Sequence, residues 1–116
     1  MGARDVRGKT AGMEAAAALE DALAPLGVTS MAMFGGHGLY CGDVFFAIVS
    51  RARLYFKVDD ESRADYEGEG MGPFRPSARQ TIRTYYEVPA DVMESRQALV
   101  EWARRAVQAA RAASSG

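Results

Sequence analysis

The stretch "MAMFGGHGLYCGDVFFAIVSRARLYFKV", Met31 to Val58, decides the fold. Its apolar runs MAMF, GLYC, VFFAIVS and RLYFKV are short, rich in β-branched and aromatic residues, and separated by glycine or polar breaks. That is the pattern of successive strands. Gly42-Asp43 reads as a tight hairpin turn, because glycine accepts the positive φ such turns demand. The break around Ser50 to Ala52 is a weaker signal.

Outward from this block the period changes. Before it, "GMEAAAALEDALAPLG" is made of strong helix formers, with Met13, Ala16, Leu19 and Leu23 at the spacing of one helix face, and Pro25 and Gly27 as the stop. After it, Asp59 or Asp60 caps a short helix through "ESRADYE", ended by Gly68 and Gly70. "TIRTYYEVP" is a further strand, with Ile82, Thr84, Tyr86 and Val88 alternating toward the core and Arg83, Tyr85 and Glu87 on the opposite face. The last helix, "SRQALVEWARRAVQAARAA", has Ser95 as N-cap, Leu99, Trp102, Ala103, Ala106 and Ala110 on one face, and Glu101 paired with Arg105 across a turn. The expectation is an α+β fold: a single two-layer domain, an antiparallel sheet flanked by N-terminal and C-terminal helices over 11–112, with flexible ends at 1–10 and 113–116.

Composition bounds the function. A chain of 116 residues fits one domain, and 48% hydrophobic with 25% charged residues places it among ordinary globular proteins rather than disordered or fibrous ones. No apolar run reaches membrane-spanning length, the N-terminus lacks a secretory segment, and one cysteine cannot form an internal disulfide. Val6 stands where a myristoylation signal needs Ser or Thr. These features point to a cytoplasmic protein without lipid anchoring. A net charge of −1 argues against a generic nucleic-acid binder, although Arg75, Arg79 and Arg83 lie in a stretch, Gly70 to Tyr86, that has no acid.

The glycine-rich segment raises three kinds of chemistry. As a dinucleotide loop it fails, since Gly36, Gly38 and Gly42 are spaced one residue too long and a strand follows instead of a helix. As a metal site, His37 and Cys41 share a strand face but stand roughly 13 Å apart at about 3.3 Å per residue, and the chain has no other His or Cys. A bulge or a dimer would be required to gather a ligand set. A thiolate pair of the same two residues needs that approach too, and no third group orients it. Asp59, Asp60 and Glu61 read as a helix cap and its solvated neighbours rather than as paired acid and base. No catalytic residue, metal or cofactor is therefore expected.

Two surfaces remain. Arg79, Arg83 and Tyr85, odd-numbered on one strand, form with Arg75 and Phe74 a candidate nucleic-acid surface, against a solvated or protein-binding face. The strand VFFAIVS is apolar on both sides, with Phe45, Ala47 and Val49 on one and Val44, Phe46 and Ile48 on the other, while the helices suffice to cover only one face of the sheet. A protein partner, a homodimer mate or the chain's own termini must cover the second, and Phe45, Val49, Tyr55 and Tyr85 are the candidate contacts.

Taken together, Phe34, Gly35, Gly36, Gly38, Tyr40, Tyr55, Lys57, Asp59, Pro73, Phe74, Tyr86, Val88, Pro89 and Trp102 resemble the motifs of the TfoX N-terminal domain family, from about Leu26 to Val107. The resemblance implies an α+β domain with an antiparallel sheet. It also implies a setting in transcriptional control, since full-length TfoX/Sxy competence regulators act beside a catabolite-activator-type protein and carry a second helical domain. This sequence reads as a stand-alone N-terminal domain. The family supplies no catalytic residues, so Gly35, Gly36 and Gly38 read as a bend or bulge at a sheet edge with Phe34 and Tyr40 packed around it.

Overall fold

The computed structural model describes the backbone of 2–33 and 35–115 and the side chains of 12–33 and 35–114. Helix α1 (Gly2–Ala22) leads through a 3-10 turn (Ala24–Leu26) into β1 (Val28–Met33), and the turn ends on Gly27 in the left-handed region, φ 63°. Strands β2 (Gly36–Cys41), β3 (Val44–Ser50) and β4 (Arg53–Lys57) follow as a meander. Helix α2 (Asp60–Gly68) precedes the hairpin of β5 (Pro73–Ser77) and β6 (Gln80–Glu87), and α3 (Ala90–Met93) and α4 (Arg96–Ser115) close the chain. The sheet is antiparallel, in the order β1-β2-β3-β4-β6-β5.

Local chemistry sets these boundaries. Asp59 caps α2 reciprocally: its carboxylate accepts from the Ser62 N–H at 2.7 Å, and its own N–H donates to Ser62 Oγ at 3.0 Å. Those amide bonds, the Ser62 N–H first, hold the Asp59 carboxyl below the usual carboxylate range. Ser95 Oγ accepts from the Ala98 N–H at 3.1 Å at the start of α4. Gly42, at φ 65°, turns β2 into β3. The next turn is made by Arg51 and Ala52, both at positive φ (54° and 63°), which L-residues adopt at a cost.

All the longer helices lie on one face. Leu39, Ala47, Phe56 and Tyr86 pair in register across β2, β3, β4 and β6 and are at most 2% exposed. They form one core with Leu19 and Leu23 of α1, Tyr66 of α2, and Leu99, Ala103, Ala106 and Ala110 of α4. Burying a side chain the size of Phe46 or Phe56 contributes about 1.5–3 kcal/mol. Tyr66 packs edge-on against Trp102 at 4.8 Å, and the Tyr86 hydroxyl donates to Glu67 Oε2 at 2.9 Å, fixing α2 between sheet and α4.

Several expectations are corrected. Helix α1 begins at Gly2 rather than near Gly12, and α4 runs to Ser115, past the point where the apolar pattern ends. Met13 is 63% exposed and lies off the core stripe. Arg105 reaches Asp65 of α2 at 2.6 Å instead of pairing with Glu101. Thr84 faces solvent, although alternation assigned it inward. The strand β5 was not legible, because Pro73 and Pro76 argue against a strand; it survives as an outermost strand, where missing N–H groups are tolerated.

Candidate functional site

The register carries one irregularity that decides which residues face outward. Leu39 pairs with Ala47, but Tyr40 pairs with Phe45, so Phe46 is an extra residue in β3. Such a β-bulge places two successive side chains on the same side. Phe46 and Ala47 are both 0% exposed in the core, and the Phe46 ring lies 6.0 Å from that of Phe56. Beyond the bulge the alternation is inverted. Phe45 and Ile48 therefore share the open face, while Val49, 1% exposed, belongs to the helix-covered one. The candidate contact Val49 is thus corrected: a uniform pleat assigns it to the side of Phe45, and the bulge removes it from that side.

The open face carries two cross-strand rows. Met31, Gly38, Ile48, Tyr55 and Glu87 pair in succession across five strands. Beside them Tyr40 stacks on Phe45 at 5.2 Å, Phe45 meets Tyr85 at 5.7 Å, and Lys57 Nζ lies 5.3 Å from the Tyr85 ring centre. Tyr55 packs against Phe74 of β5 at 4.8 Å. Contacts of this kind contribute about 0.5–1.5 kcal/mol each beyond burial, so the rings support one another without a covering helix among the described residues. Gly38 makes the arrangement feasible. A Cβ there would stand 2.7 Å from Phe45 Cε1 and 3.1 Å from Met33 Cε, and Gly36 is constrained similarly, 2.3 Å from the Val49 carbonyl oxygen.

The electrostatics of this face are mild. Burial, assisted by Tyr40, pushes the Tyr85 hydroxyl up to about 12. Burial and the Glu87 carboxylate raise Tyr55, while Arg53 and Arg51 oppose them. Arg53 and Glu87 form an ion pair at 3.2 Å along the rim. Of the expected contacts, Phe45 and Tyr55 are half-buried on the open face, and Tyr85 is there but only 8% exposed, a floor to the patch rather than its tip. Phe74 and Ile48 complete it. Ile48 was hidden by the bulge, and Phe74, expected beside the arginines, lies here against Tyr55.

The glycine motif is divided between a turn and a strand. Gly35 turns at φ 79°, and Gly36 and Gly38 lie within β2, one strand in from the edge, with the bulge on the facing strand β3 instead. Phe34 lies outside the described residues. His37 and Cys41 face the helices from opposite ends of β2. A Cβ added at Gly12 would touch the His37 ring, whose Nδ1 is buried without a hydrogen-bond partner among the described residues, and Cys41 Sγ donates to the Leu26 carbonyl at 3.3 Å. Among the described residues no group of three metal-ligating side chains occurs.

The arginines do not form one surface with Tyr85. Arg79 occupies the β5–β6 turn, with its N–H on Ser77 Oγ at 3.3 Å. Adjacent Pro73 and Phe74 pair with Tyr86 and Ile82, so β6 bulges between those partners and breaks the alternation. Tyr86, whose hydroxyl donates to Glu67, lies with the helices, whereas its neighbour Tyr85 sits on the open face. All three arginines are exposed.

The chain is thus an α+β domain with one helix-covered and one open, aromatic sheet face. The TfoX N-terminal domain family model matches residues 21–110 of the 116, and the chain belongs to that family, a regulatory one. A search of curated proteins found no match. No helix among the described residues is long and apolar enough to cross a membrane.

Proposed function

We propose that the chain is a small cytoplasmic regulatory module in transcriptional control that acts by protein–protein contact and catalyses no reaction. The observation that carries this reading is the open sheet face, where Tyr40, Phe45, Ile48, Tyr55 and Phe74 form a continuous half-buried patch over Tyr85. Aromatic residues at such a centre, rimmed by charges like Arg53, Lys57 and Glu87, are the usual composition of protein contact surfaces. A protein partner or a second copy is the proposed occupant. Direct nucleic-acid binding through Arg75, Arg79 and Arg83 is less well supported, because those residues are spread over β5, the turn and the bulged β6.

Affinity capture of the tagged chain from its native lysate, with and without nuclease, tests the reading. Retention of the same protein after nuclease is the expected result. Retention only with intact nucleic acid, with affinity that falls steeply with salt and on replacing Arg79 and Arg83, would overturn it.

A further inference from the structure

The sheet has two edges, and they are finished differently. The outer edge, β5, carries Pro73, Pro76 and Arg75, each of which discourages a further strand. The other, β1, reads VTSMAM: six residues with no charge, no proline and an unbroken register against β2. A strand of that kind invites pairing with another chain.

A contact from α1 closes it. The Ser30 N–H donates to Glu20 Oε2 of α1 at 2.8 Å, and Ser30 Oγ donates to the same oxygen at 2.9 Å. Because the Ser30 amide is turned to Glu20, it points away from β2, and by strand alternation Val28, Ser30 and Ala32 present their amides and carbonyls to the same outer edge. Ser30 is the middle of the three. Glu20 therefore sits where an incoming strand would begin to pair, with a carboxylate that repels an approaching carbonyl.

From this geometry we infer that Glu20 is a plug that keeps β1 from pairing antiparallel with the β1 of a second copy. The second copy is the partner that fits, because the rim of this edge is apolar in both layers. Met31 is 60% exposed on the open sheet face. Met13, 63% exposed, stands two turns from Glu20 on the same side of α1, with exposed Ala17 between them. A lone peptide strand would cover only the sheet layer, whereas a second copy related by a two-fold axis at Ser30 extends sheet by sheet and helix by helix, burying both methionines. This inference is independent of the contact proposed for the open face.

Sedimentation of wild type, Glu20→Gln and Glu20→Ala across a concentration series tests it. Glu20→Gln keeps an acceptor for Ser30 but loses the charge that repels a carbonyl, and should associate between wild type and Glu20→Ala. Glu20→Ala should self-associate at least about tenfold more tightly, and adding Ser30→Pro, which removes the central N–H, should restore the wild-type mass. A folded Glu20→Ala variant with unchanged mass, or one whose association survives Ser30→Pro, overturns the inference. Amide hydrogen exchange on wild type needs no variant: Ser30 should be slow relative to Val28 and Ala32, and an equally fast Ser30, or a wild-type dimer dissolved by Ser30→Pro, contradicts the plug.

Discussion

Gly36 and Gly38 have no room for a side chain, and the reason differs between them. At Gly36 the obstacle is the backbone of β3, the Val49 carbonyl oxygen at 2.3 Å from a built Cβ; at Gly38 it is the Phe45 ring. Gly36→Val should therefore force two strands apart and lower Tm by at least about 4 °C, on the scale where 1 kcal/mol corresponds to about 4–8 °C in a domain of this size. An unchanged Tm would leave the motif without its structural reason. The opposite change is expected at the β3–β4 turn. Ala52 holds φ 63°, a conformation that costs a residue with a Cβ about 1–2 kcal/mol, so Ala52→Gly should stabilise by about 1 kcal/mol in a denaturant titration. Asp59 supplies a third test. Its carboxyl is depressed when folded, so the capping contribution is present above its unfolded pKa near 3.9 and is lost as pH falls through the lower folded value. Asp59→Ala should cost about 0.5–2 kcal/mol at neutral pH and progressively less in acid.

At the scale of elements, most of the architecture was legible because the runs from Met31 to Val58 and from Thr81 to Val88 have strand composition and the flanking segments have helical spacing. What was not legible is local in cause. Period-two reading assumes an even pleat, and the extra residue Phe46 leaves no mark in composition, so Val49 and Ile48 exchanged faces. Prolines that exclude an interior strand are compatible with an outermost one, which concealed β5 and the placement of Phe74 beside Tyr55. The bulge also assigns opposite fates to neighbours. Phe46→Ala should cost about 3–5 kcal/mol, whereas Phe45→Ala, half-buried on the open face, should cost clearly less. Tyr85 reports on the same region through pH. Its folded pKa of about 12 exceeds the unfolded value near 10, so the neutral hydroxyl's contribution is complete below pH 10 and is lost as pH rises from 10 toward 12, because the unfolded chain ionises first. Ultraviolet titration of wild type against Tyr85→Phe should assign a phenolate to that upper range.

For the whole molecule, the six-stranded sheet is sealed on one side by α1, α2 and α4, while on the other, among the described residues, no helix covers the rings, which pack against one another. The sequence already indicated this asymmetry, since a strand apolar on both sides was matched with too few helices to cover both. This open face is the proposed working surface. Its most direct test is capture from nuclease-treated native lysate by three folded proteins compared side by side: wild type, Phe45→Glu on the open face, and Arg104→Glu, an exposed position on α4. Phe45→Glu should lose the retained protein by at least about tenfold in affinity, and Arg104→Glu should keep it. Equal retention by Phe45→Glu, with its circular dichroism and mass unchanged, or loss only in Arg104→Glu, would contradict the claim.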